Sequence, residues 1–205
     1  MTKKSYHHGN LREALLRAAG EILSVAGDEG LSLRQVAQKA GVSATAPYSH
    51  FRDKRELLAV LVTQGFEDLA ACMEQEVASA RESGVRDGLV ALARGYVRFA
   101  TDKPALFQLM FGPGLVDLME FPQLAEASAR AYTLMERDVT RRMQALGTPE
   151  QTAIAVAAAW SLVHGLSTLL NDGRVVADDC GVADVEALVE GVCALLQFSD
   201  TSGGS

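Results

Sequence analysis

Between Leu31 and Leu58 the chain runs LSLRQVAQKAGVSATAPYSHFRDKRELL, and few folds accommodate that order of residues. Ser32 precedes a short amphipathic run that puts Leu33, Val36, Ala37 and Ala40 on one face. Gln35 follows Ser32 at the spacing of a capping box, in which hydroxyl and amide satisfy each other's unpaired backbone donors and fix where the helix starts. Gly41 stands where a chain turns sharply at little steric cost, and Ser43 is placed to cap a second short helix ending near His50. Two short helices joined across a glycine make a helix-turn-helix, whose second helix enters the DNA major groove. Pro47 would be the fourth residue of that helix, so its missing N–H removes only the first intrahelical bond, at the cost of a bend or local retwist.

This unit cannot build a core alone. A preceding helix from Asn10, paired with Glu13, carries Leu11, Ala14, Leu15, Ala18, Ala19, Ile22 and Leu23 at helical spacing and ends at Gly27-Asp28-Glu29-Gly30. It supplies the packing face for a three-helix head. Asp53 with Glu56 opens a long helix over about Lys54–Arg81, a lever that starts at the head and ends in the body. Further helices are expected over Val85–Thr101, Ala105–Phe111, Pro122–Leu146, a segment opened by Pro149, and Ala183–Phe198. The resulting class is all-α, with about nine helices and no strand-period segment. The divisions are 1–53 for the head, 54–82 for the connecting helix, 83–198 for an effector-binding and dimerisation body, and 199–205 for a disordered tail.

The centre of the Pro149 helix, AIAVAAAWSLVHGLSTLL, is apolar nearly all round, which predicts burial on every side. One face would lie on its own core and another on a second copy, with Ala155, Ala158, Ala159 and Gly165 allowing close approach. Ala158 and Leu188 are the expected contact positions. The longest nearly uninterrupted apolar run, Ala153–Val163, is too short to span a bilayer, and Met1–Asn10 has no apolar segment after its lysines. A cytoplasmic protein with no membrane partner is therefore expected.

Net charge is −7, which is unfavourable for a nucleic-acid partner until it is divided along the chain. Residues 1–55 hold nine Lys/Arg and five Asp/Glu, for +4, whereas residues 56–205 hold ten and 21, for −11. The positive head attracts phosphates and the acidic remainder discourages non-specific binding. The arm with Lys3, Lys4, Tyr6, His7 and His8 could reach phosphate or a minor groove. Cys72, Cys180 and Cys193 have no zinc or redox spacing and read as buried or inert thiols. No phosphate-binding loop, metalloprotease, nucleophile-elbow or dinucleotide motif is present, so the chain is not expected to be an enzyme and needs no cofactor or metal.

Ser32-Leu33, Val36-Ala37, Ala40-Gly41-Val42-Ser43, Tyr48, His50-Phe51, Lys54 and Leu57-Leu58 resemble the DNA-binding segment of TetR-type (tetracycline-repressor-like) transcriptional regulators. Trp160, His164 and Gly165, with Leu109–Gly112, Tyr6–Leu11 and Ala46-Pro47-Tyr48, resemble one subgroup of that family, called after its Trp-His-Gly residues. The resemblance implies a homodimer built on the last two long helices that binds a palindromic operator in double-stranded DNA. It also implies a small apolar effector, held by the middle helices, whose binding releases a repressor from its operator. An effectorless or architectural DNA-binding dimer is the alternative.

The same resemblance places Ser32, Arg34, Ser43, Ala44, Thr45, Ala46, Tyr48, His50 and Lys54 at the DNA. Tyr48, Ser32 and Arg34 are expected to hold backbone phosphate. Lys54 stands in the first turn of its helix, where a cation opposes the helix dipole unless a phosphate is near. Thr45 is the first choice for reading bases, because its hydroxyl can hydrogen-bond and its methyl can touch thymine. Tyr96, Phe99, Phe107, Met110, Phe111, Tyr132, Met135, Trp160 and His164 form the pool for an apolar effector pocket with a few placed polar groups.

Overall fold

The computed structural model describes residues 8–83, 88–112 and 120–195, with the side chains of 8–10 excepted. Among these residues there are eight α-helices and no strand: α1 His8–Ala26, α2 Leu33–Lys39, α3 Lys54–Glu82, α4 Gly88–Asp102, α5 Pro104–Phe111, α6 Pro122–Ala145, α7 Thr152–Asn171 and α8 Val185–Leu195. Most helix boundaries fall within a few residues of those expected. The basic arm up to His7, the expected start at Val85 and the end near Phe198 lie outside the described residues. The chain divides into two compact units, residues 1–66 with 103–127 and residues 67–102 with 128–205; α3 and α6 each supply residues to both.

In the first unit the core is the face predicted by periodicity: Leu15, Ala19 and Leu23 of α1, Val36 and Ala37 of α2, Phe51, and Leu57, Leu58 and Leu61 of α3 are all buried. The start of α2 is fixed by Ser32, whose Oγ accepts from the Gln35 N–H at 3.2 Å and donates to Gln35 Oε1 at 2.6 Å. Its end is a Schellman turn. Gly41 adopts φ +70°, a region open to glycine, so that its N–H reaches the Gln38 carbonyl and the Val42 N–H reaches the Ala37 carbonyl. The start of α3 is set by Asp53 Oδ1, which accepts from the Glu56 N–H at 2.9 Å, while Glu56 Oε2 accepts from the Arg52 N–H at 2.7 Å. The acceptor bonds hold the Asp53 carboxyl below its ordinary range, chiefly through the Glu56 N–H.

The second unit packs α4 against α7 and α8. Here α3 meets α4 so closely that a Cβ on Gly95 would lie 2.6 Å from Met73 Cα and 2.8 Å from the Cys72 carbonyl oxygen. Backbone rather than a side chain lines that contact, so only glycine fits.

Burial of α7 on every side does not hold within the chain. Ala155, Val156, Val163, Leu166 and Ser167 are buried, but Ile154 is 75% exposed and Trp160 and Leu169 are partly exposed. Residues 149–171, with a mean hydropathy of 1.7, are by length and composition sufficient to cross a membrane, longer than the run Ala153–Val163 suggested. Its buried stripe belongs to the core of the second unit. Leu188, expected on a contact surface, is buried in that same core. Of the three free thiols, Cys180 is exposed and Cys72 and Cys193 are half-buried.

Candidate nucleic-acid interface and ligand cavity

The second element of the helix-turn-helix departs from the expected α-helix. Ala46–Ser49 form a single 3-10 turn, preceded by Thr45 rather than capped by Ser43. The Ser43 hydroxyl lies 3.2 Å from that of Thr45, and the backbone bonds run Ala46 N–H to Ser43 carbonyl, Tyr48 N–H to Thr45 carbonyl and His50 N–H to Pro47 carbonyl. All three span three residues. Pro47 supplies the cause: it has no N–H to continue an α-helical ladder, and its ring disfavours helical backbone at Ala46. Pro47 itself is buried, which pins the turn to the core.

The resulting surface presents Arg34, Ser43, Ala44, Thr45 and Tyr48 to solvent, with Ser32, Ala46, His50 and Lys54 half-buried beside them. Tyr48 is 61% exposed whereas Phe51 is 1% exposed, so Phe51 fills the inward position and leaves the Tyr48 ring outside. Lys54 has an intramolecular partner that sequence reasoning missed: its ammonium donates to the Asp28 carbonyl oxygen at 2.5 Å, at the turn that ends α1. That contact offsets the adverse helix dipole and ties α3 to α1, and no spacing signal joins positions 26 residues apart.

The nine residues expected at an effector pocket fall into both units. Phe107, Met110 and Phe111 of α5 belong to the first, where Phe111 stacks edge-on against Phe66 at 5.6 Å and a Cβ on Gly65 would meet Met110 Sδ at 2.6 Å. The other six belong to the second unit. There a cavity of about 60 Å³ is lined by Tyr96 and Met135 together with Met73, Leu92, Leu162 and Val163, and it is edged by Arg142 and Cys193. Phe99 is core, while Trp160 and Tyr132 stand partly exposed and edge-on to each other at 5.7 Å. Trp160 and His164 do not line the cavity. Met73, Leu92, Leu162 and Val163 do, although in sequence nothing separates them from ordinary core residues.

Tyr96 joins these two groups. Its hydroxyl lies 3.0 Å from His164 Nδ1 and is also hydrogen-bonded to the Trp160 side chain. Indole N–H only donates, so it donates to the tyrosine oxygen, while His164 Nδ1 accepts from the tyrosine O–H or donates to the same oxygen according to its tautomer. Burial favours this neutral set: it holds the His164 pKa below its ordinary value and pushes the Tyr96 hydroxyl well above its own, the indole bond opposing the latter.

An all-α chain that presents a helix-turn-helix and carries a separate helical unit with an apolar cavity is a DNA-binding regulator in architecture. Residues 15–61 match the family described as bacterial regulatory proteins, tetR family, and residues 89–196, more than half the chain, match the tetracyclin repressor-like C-terminal domain. The chain belongs to this family of transcriptional regulators. A Rhodococcus sp. RHA1 protein of unknown function is 35% identical, with a TM-score of 0.75 over 94% of this chain and 96% of that one. An HTH-type transcriptional regulator of Mycobacterium tuberculosis (strain CDC 1551 / Oshkosh) is 30% identical over 86 residues, 42% of this chain; the match spans only 37% of that protein's length. The transcriptional regulator FadR of Bacillus subtilis, solved in complex with stearoyl-CoA, shares the fold at 16% identity, with a TM-score of 0.67 over 90% of this chain and 96% of that one.

Proposed function

We propose that the chain is a homodimeric repressor that binds a palindromic operator and releases it when a small apolar effector occupies the second unit. The observation that carries the DNA part is the exposed group Ser43, Ala44, Thr45 and Tyr48 on a turn whose two ends are fixed by the Gly41 Schellman bonds and by buried Pro47. Preorganised polar and aromatic groups on a positive head suit phosphate positioning by Tyr48, Arg34 and Ser32 and base contact by Thr45. Ala44 and Ala46, which flank Thr45, have small side chains that suit close approach to DNA.

Self-association is supported by the uncovered apolar face of α7, where Ile154, Trp160 and Leu169 lie open beside small residues at Ala157, Ser161 and Gly165. A Cβ on Gly165 would meet nothing within 4 Å in the single chain, so its small size is not required by the packing of that chain. An apolar effector is supported by the walls of the cavity, and the stearoyl-CoA complex of the Bacillus subtilis regulator is in keeping with such chemistry. A cavity of about 60 Å³ is nevertheless far below the roughly 300–1,000 Å³ of ordinary ligand pockets, which favours the effectorless reading unless the wall moves.

Effector and operator need not touch. Linkage requires that whatever factor an effector removes from operator affinity, the operator removes from effector affinity, a coupling of about 1–3 kcal/mol in typical cases. The test titrates labelled operator in the presence and absence of a compound that saturates the cavity. Equal operator affinities would rule out repression relieved by that compound.

A further inference from the structure

We propose that Tyr96 is a gate on the cavity of the second unit, latched shut by its hydrogen bonds to His164 and Trp160. This rests on the reading of that cavity as a ligand site. The cavity is too small for a drug-sized guest, so a wall has to move for one to enter. Met73, Leu92 and Val163 sit inside long helices with no polar atom at the tip and are held by core packing alone. Tyr96 differs. Its ring forms part of the wall while its hydroxyl is joined to two residues of α7, and one of them, Trp160, is 39% exposed and set edge-on against the equally exposed Tyr132.

That arrangement gives the ring both a restraint and a direction of exit. A buried tyrosine hydroxyl without partners is unfavourable, so two satisfied bonds hold the ring at the wall. Movement of the ring toward the Trp160–Tyr132 side vacates space next to Met135 and Val163 and lengthens the cavity. Occupancy of the cavity is then paid through the fraction of molecules with the latch open: the apparent dissociation constant equals the intrinsic one divided by that fraction. His164 and Trp160 act as positioning residues through Tyr96, without touching the guest.

Calorimetric titration of the full chain with 1-octanol, a neutral apolar guest larger than the closed cavity, tests the gate. Tyr96→Phe keeps the ring and removes both bonds, and His164→Ala removes the imidazole partner alone. Both are expected to bind octanol at least about threefold tighter than the parent because the open fraction rises. His164→Asn, which keeps an acceptor near the position of Nδ1, should stay close to the parent. A hydroxyl that simply contacts the guest predicts weaker binding by Tyr96→Phe, and a purely structural role predicts unchanged affinity with a lower melting temperature; either result overturns the gate. If Tyr96→Phe does not fold, the His164 pair decides alone. Octanol that binds the parent and all variants equally removes the gate but leaves the ligand site, whereas no binding even to Tyr96→Ala removes both.

Discussion

The Tyr96 hydroxyl and His164 Nδ1 lie 3.0 Å apart, so a proton on one partner sets the state of the other. Because burial keeps the folded His164 pKa below its ordinary value of 6.5, the unfolded chain binds more protons in the window just beneath 6.5. Stability supported by neutral His164 is therefore present above that value and is lost as pH falls from about 6.5 toward the folded pKa. Melting temperatures between pH 7.5 and 5.5 should drop less in His164→Asn than in the parent. Parallel curves would show that His164 is not the group responsible.

Gly95 and Gly65 are both close approaches, but they should respond differently to a methyl group. At Gly95 the new Cβ meets Met73 and Cys72 backbone at 2.6–2.8 Å, which cannot yield locally, and Gly95→Ala is expected to destabilise by about 1–3 kcal/mol despite alanine's better helix propensity. At Gly65 it meets the flexible end of Met110, so Gly65→Ala should cost less. Urea unfolding of the two variants checks the order; an equal or reversed order would contradict this packing.

Arg34→Ala is expected to weaken binding to every duplex alike and to flatten the plot of log K against log salt by about 0.9, one phosphate's worth. Lys54→Ala carries a second effect, since loss of the bond to the Asp28 carbonyl also loosens the joint between α1 and α3. A change in Thr45, by contrast, should alter base preference by about 1–3 kcal/mol. Unaltered preference in a Thr45→Ala variant would remove that residue from base reading.

Substitution of Ile154 by Arg should weaken the dimer, because this 75% exposed side chain lies on the uncovered face of α7. Leu188→Arg is a poor probe of assembly: it would place a charge in the chain's own core and unfold it. Sedimentation equilibrium of Ile154→Arg that matched the parent's dimer constant would move the interface to another surface.

Helix order and the core of the first unit were legible because apolar residues repeat at helical spacing and because Ser32-Gln35, Asp53-Glu56 and Gly41 punctuate it with local bonds. Local signals were less sufficient at Pro47. Its effect on the ladder is legible in the sequence, but the outcome, a single 3-10 turn without the Ser43 cap and with Pro47 buried, is not. The cavity was least legible. Tyr96 and Met135 belong to the expected pool and line the cavity, yet Trp160, of the same pool, does not line it and hydrogen-bonds Tyr96 instead. Periodicity marks which face of a helix is apolar, not whether that face meets a void, a neighbouring ring or a second copy.

Selection of binding sites from fully randomised duplexes by the full-length protein addresses the central claim most directly. The account predicts a single enriched sequence with two-fold symmetry whose half-site centres are about one helical turn, roughly 34–36 Å, or a multiple of it apart. An enriched site without symmetry, or no enrichment over random DNA at physiological salt, would contradict it.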